Sequence, residues 1–159
     1  MNTMINDNWK NDRIASAHRG ENPMVLAKLK SGFAVIGDTQ FLPGYCLLLP
    51  FEKVSTLNDL DYKQRSEYLL DMSLIGDVIQ EVCNPRRINY SIYGNTDVFL
   101  HAHIFPRYDW EADERKPMPV WQYSSEMWCD AQFHYSEEKH GKLKEKLSQK
   151  LQQLIKNAY

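Results

Sequence analysis

At 159 residues, 43% hydrophobic and 25% charged, the chain has the composition of one folded domain and not of a disordered or fibrous protein. A formal net charge of −2 offers no global attraction to nucleic acid or to acidic membranes, so neither is an expected partner. Cys46, Cys83 and Cys129 are odd in number, far apart and free of any C-x-x-C pair, which argues against a disulfide framework and against a thiolate zinc site. The polar opening MNTMINDNWKNDR lacks the apolar centre of a secretory signal, and the apolar runs are too short to cross a bilayer, so the expected location is cytoplasmic.

In chain order, residues 5–19 carry a sparse helical pattern through Trp9, Ile14 and Ala17. GFAVIG at 32–37 reads as a strand, followed by a turn through Asp38–Gln40. Pro43-Gly44 is a second turn, and YCLLLP at 45–50 reads as a buried strand ended by Pro50. Asp61 with Gln64 three residues on has the form of a capping box. Beyond it Tyr68, Met72, Ile75, Ile79 and Val82 alternate four- and three-residue steps, predicting one long amphipathic helix over about 61–83 that Pro85 stops. INYSIYG at 88–94 and VFLHAHIF at 98–105 read as two strands, and the Gly94-Asn95-Thr96-Asp97 joint makes them antiparallel neighbours. A stretch rich in Pro, Trp and Tyr follows to about 135. Ser136 then caps a final helix striped by Leu143, Leu147, Leu151 and Leu154. This order predicts an α+β domain: an antiparallel sheet with a long helix packed on it and a C-terminal helix.

The chemistry concentrates in VFLHAHIF. Side chains alternate across a strand, so Phe99, His101, His103 and Phe105 are expected on one face, and the apolar Val98, Leu100, Ala102 and Ile104 on the core face. The two histidines then stand with Cα atoms roughly 6.5–7 Å apart, close enough for both to reach one phosphate. Neutral imidazole is a nucleophile, and a neighbouring imidazolium neutralises phosphate charge. Two other readings compete. The pair is merely half-exposed, or it shares a zinc ion, which needs a third ligand that the spacing of His18, His134 and His140 does not recommend. Asn95 and Thr96 supply amide and hydroxyl donors beside the histidines, and the same residues suit a plain turn.

LHAHIFPR resembles the signature strand of the histidine-triad (HIT) superfamily, in which His-x-His-x-His is flanked by apolar residues and often runs into Pro-Arg. The resemblance extends through PGYCLLLP, the long helix and the strand into Gly94-Asn95, and covers roughly residues 30–107. It implies one HIT-like domain over 1–159, with a core at about 24–107 and an aromatic, Pro-rich tail plus helix at 108–159. The KPMPVW of that tail is similar to a bacterial branch of the superfamily. It implies a hydrolase of dinucleoside polyphosphates or nucleoside phosphoramidates, a purine-nucleotide ligand, a homodimer, and neither cofactor nor metal. The family's middle histidine, which attacks the α-phosphate, falls on His101; its last, a phosphate contact, falls on His103; its first falls on Phe99. The family's Gln and Ser before the nucleophile fall on Asn95 and Thr96, and its ribose and base neighbourhood falls on Gly37-Asp38-Thr39-Gln40, with Asp38 as a ribose acceptor and Gln40 beside it. Phe99 cannot share a proton as a histidine would, which implies slow turnover, although a main-chain carbonyl at 99 can still orient His101. Trp110, Trp121 and Tyr123 are candidates for stacking on a base or for packing, and Arg107 is expected in a surface salt bridge. Nucleotidyl transfer and nucleotide binding with little turnover are the alternative functions.

Overall fold

A computed structural model describes residues 7–159; the start of the polar N-terminal stretch and residues 5–6 of the expected first helix lie outside them. Within the rest of that expected helix, a 3-10 turn over Asp7–Asn11 leads into α1 (Arg13–His18), capped by the Asp12 carboxylate on the Ala15 N–H. Five strands form one antiparallel sheet in the order β1-β2-β3-β5-β4: β1 (Val25–Lys28), β2 (Gly32–Ile36), β3 (Cys46–Pro50), β4 (Arg87–Ile92) and β5 (Ala102–Arg107). β1, which the sequence pattern does not announce, is four residues long, lies at an edge and carries an irregularity between Val25 and Ala27. Gly32 permits the tight β2–β3 approach, since a Cβ there would meet the Leu49 carbonyl oxygen at 1.9 Å.

α2 (Tyr62–Cys83) carries the expected capping box: Asp61 accepts from the Gln64 N–H at 2.8 Å, and Gln64 accepts from the Asp61 N–H at 3.0 Å. It ends at Cys83, two residues before Pro85, with Asn84 in the left-handed region between them. Its Tyr68, Ile75 and Ile79 are buried against the sheet with Leu48, Ala102 and Ile104. After short helical segments, α3 (Ser125–Cys129) among them, α4 (Glu137–Ala158) begins at the Ser136 cap and buries Leu147 and Leu151 against α2 and β1. Both long helices therefore cover one sheet face. The opposite face is covered by the aromatic tail, where Phe41, Leu42, Tyr45, Phe105, Tyr108 and Val120 form a second core cluster with Tyr123, Trp128 and Phe133 against it.

Two expectations are corrected. The last strand starts at Ala102 and not at residue 98, because its neighbours run out: β3 pairs it only from Leu48↔Ala102 onward and β4 ends at Ile92↔Ala102. Residues 98–101 are held as an irregular approach, with the Phe99 N–H on the Asp97 carbonyl and the Leu100 N–H on the Val54 carbonyl. Val98, expected in the core, is 74% exposed, whereas Leu100, Ala102 and Ile104 are buried as expected. Arg107, expected on the surface, lies within β5 and is buried with Glu111 at 3.0–3.2 Å; it also donates to Asn89 Oδ1 and to the Arg115 and Met118 carbonyls. The reason is the tail, which folds back over the sheet and supplies both the carboxylate and the carbonyls.

Among the described residues, no helix is long and apolar enough to cross a membrane.

Candidate functional site

β5 delivers His103, and the residue just before it delivers His101. The two rings meet edge to face with centroids 4.9 Å apart. They line a cleft of about 430 Å³ with Tyr93, Gly94, Asn95, Thr96, Asp97 and Trp121. Four residues singled out from sequence, His101, His103, Asn95 and Thr96, are thus brought to one cleft. Gly94, with φ +68°, turns the chain there, and Asn95 and Thr96 remain exposed.

Each histidine is fixed through Nδ1. That of His101 lies 2.8 Å from the Phe99 carbonyl oxygen, and a carbonyl only accepts, so Nδ1 is the donor and the neutral ring carries its lone pair on Nε2. His103 Nδ1 lies 2.7 Å from the Tyr45 hydroxyl. Burial pushes the Tyr45 phenol well above its ordinary value, so it stays protonated. Among the described residues the hydroxyl has no other hydrogen-bond partner, so its proton is satisfied by donating to Nδ1, the arrangement that leaves Nε2–H as the donor of a neutral His103. Burial, and then the neighbouring His101, lowers His103 to about 4, so it is neutral at pH 7. At neutral pH His103 therefore brings an uncharged ring to the cleft.

The surroundings of His103 are aromatic. Tyr45 stacks on Phe105 at 4.0 Å, and Trp121 sets its edge on His103 at 4.8 Å while stacking on Trp128 at 5.0 Å. Of the other tail aromatics proposed for stacking, Trp110 lies on Tyr108, and the Tyr123 hydroxyl donates to Glu111. On the other side of His101, the Phe99 ring packs at 5.0 Å and carries the Lys53 ammonium 5.4 Å from its centroid.

The remaining expected residues lie elsewhere. Asp38 is bound bidentately by Arg13 at 2.9 and 2.6 Å and lines a separate cleft with Trp9, Met24, Thr39 and Trp128. Gln40, expected beside a nucleoside, is buried: its amide donates to the Gly37 and Tyr45 carbonyls and accepts from the Gly44 N–H, so the loop backbone takes up its hydrogen bonds. His18 is 2.8 Å from the Phe51 carbonyl, and His140 accepts from the Ser136 N–H. Among the described residues, no three His, Cys, Asp or Glu side chains converge as metal ligands. Sequence reasoning missed Tyr45, Lys53 and Tyr93. The alternation of YCLLLP places Tyr45 and Leu47 on one face, but only the pairing of Leu47 with His103 reveals which histidine that face meets.

No protein-family model matches the chain. Proteins named AP-4-A phosphorylase in two strains of Mycobacterium tuberculosis are 27% identical over 99 residues, 58% of this chain and 51% of theirs, so the chain spans about half the length of the curated relatives it matches. A histidine triad protein from Sinorhizobium meliloti aligns with TM-score 0.67 and 18% identity over 80% of this chain and 88% of its own. One from Bradyrhizobium japonicum reaches 0.69 and 20% over 85% and 95%. Plasmodium falciparum diadenosine triphosphate hydrolase gives 0.56 and 18% over 86% and 79%. The fold is that of histidine-triad proteins, in agreement with the resemblance carried by LHAHIFPR.

Proposed function

We propose that the chain is a nucleotide-phosphate hydrolase that works through a nucleotidyl-histidine intermediate on His101, with a dinucleoside polyphosphate or a nucleoside phosphoramidate as substrate. The observation that carries this reading is the Nδ1 bond of His101 to the Phe99 carbonyl, which in the neutral ring leaves the lone pair on Nε2, away from that carbonyl. In the reaction, Nε2 attacks the α-phosphorus, a P–N bond forms, and the bond to the leaving group breaks, a phosphate departing as its anion or an amine taking a proton from solvent as it goes. Water then attacks the same phosphorus and gives its proton to solvent, the P–N bond breaks with its electron pair returning to Nε2, and a nucleoside monophosphate departs. His103 donates Nε2–H to a non-bridging oxygen in both steps, and Asn95 and Thr96 offer further donors from the turn. The AP-4-A phosphorylase and diadenosine triphosphate hydrolase names support phosphoanhydride chemistry on adenine dinucleotides.

A second reading has an acceptor other than water, and the phosphorylase name of the M. tuberculosis relatives favours it. Product analysis with and without inorganic phosphate separates the two.

Replacing His101 by Ala lowers kcat by roughly 10³-fold or more and changes nucleotide Kd by at most about tenfold, because only the chemical step needs that nitrogen. Turnover of the variant at a near wild-type rate overturns the proposal.

A further inference from the structure

Phosphate chains are multiply charged, and their charge must be met by cations near His101. His103 is not one of them at neutral pH, since burial keeps it uncharged. Beside the cleft, and sharing Thr96 and Asp97 with it, lies a second groove of about 400 Å³ lined by Lys10, Arg13, Ile14, Lys53, Val98 and Phe99, among others. Arg13 is already neutralised by its bidentate bond to Asp38, and Lys10 leans over Trp9. Of the groove's carboxylates, Asp12 caps α1 and Asp97 lies within electrostatic reach of Arg13.

Lys53 differs from all of these. It is exposed, and among the described residues no carboxylate lies within ion-pair distance of it. Its place is set by backbone, because the next residue, Val54, accepts the Leu100 N–H and so ties the segment after β3 to the approach to His101. Its ammonium sits over the Phe99 ring, which also packs against the ring of His101. One aromatic ring therefore separates an unpaired cation from the nucleophile.

We infer that Lys53, seated on Phe99, receives the phosphates beyond the one His101 attacks, so that the site favours ligands carrying a phosphate chain over those with a single phosphate. This rests on the proposed function for the position of the attacked phosphate, and it narrows the substrate class to phosphoanhydrides rather than phosphoramidates of neutral amines. A lysine on a flexible stem can follow such a chain as it lengthens, which a histidine fixed in a strand cannot.

Binding tests this without requiring turnover. Kd is measured by calorimetry for AMP and for α,β-methylene-ATP, whose α,β bond is uncleavable, in wild type, Lys53→Gln and Lys53→Arg. The wild type is expected to bind the methylene analogue at least about tenfold tighter than AMP. Lys53→Gln abolishes that preference while shifting AMP affinity by less than about twofold, and Lys53→Arg keeps most of it. An unchanged preference in Lys53→Gln, equal weakening of both ligands, or no preference in wild type overturns the inference. The hydrolase reading is judged separately: a preference lost in Lys53→Gln, in a protein that forms no His101 adduct, sustains the role of Lys53 and removes the mechanism.

Discussion

The two flanks of His101 are built on opposite principles. Toward His103 the site is packed and braced: Tyr45, Phe105 and Trp121 pack around the ring, Trp128 stacks behind Trp121, and the buried Arg107–Glu111 pair ties the tail that carries Trp121 to the sheet. Toward Phe99 it is open. The strand ladder has ended, Asn95 to Val98 are exposed, and the approach is held by the Leu100 N–H on the Val54 carbonyl and by the Phe99 carbonyl on His101. The difference separates two tasks. A neutral hydrogen-bond donor of fixed tautomer needs burial, whereas a charged, variable-length ligand needs hydrated cations and an open path.

The largest effect is expected on the braced flank. Burial pushes the Glu111 carboxyl up, but hydrogen bonds from Arg107, the Tyr123 hydroxyl and the Tyr108 N–H outweigh it and hold the group below the ordinary carboxylate value. Glu111→Ala leaves the Arg107 guanidinium buried without its partner, and unfolding free energy should drop by about 3–5 kcal/mol. Denaturant titration checks this, and a loss below about 1 kcal/mol would show that the pair does not brace the tail.

A smaller effect is expected from pH. The folded value of His103, about 4, lies below its unfolded value of about 6.5, so the unfolded chain binds the extra proton first. The stability that comes from keeping this ring neutral is complete above about pH 6.5 and is lost as pH falls toward 4, by on the order of 1–3 kcal/mol. His103→Gln should flatten that part of the stability profile, and an identical slope in variant and wild type contradicts the neutral, buried assignment.

The smallest effect is expected on the open flank. Because the main-chain carbonyl of residue 99 already orients His101, Phe99→His should raise kcat by no more than about tenfold. A rise above about a hundredfold would show that the lost histidine acted in the chemistry and not in orientation.

What was legible in the sequence divides along physical lines. Local rules announced α2 down to its capping box, the Ser136 cap, the strands around residues 32–36 and 46–50, and the pairing of the strand before Gly94 with the one after it. The shared cleft of His101 and His103 was expected from alternation, although the ladder reaches back only to Ala102 and His101 stands just before it. Contacts set by distant chain did not show. Arg107 looks like a surface residue until the tail supplies Glu111 and two carbonyls, and no local pattern shows that the Gly37–Tyr45 loop takes up the Gln40 amide. The end of the β5 ladder depends on where β3 and β4 stop, which no pattern within VFLHAHIF records.

The central claim is that His101 carries the nucleotide in covalent form. Rapid acid-quench of enzyme turning over diadenosine tetraphosphate labelled at an α-phosphorus, followed by peptide mapping, tests it most directly. The account predicts an acid-labile label on the peptide containing His101 that appears within the first turnover and is absent from His101→Ala. Steady turnover with no labelled protein, or a label that persists in the His101→Ala variant, would contradict it.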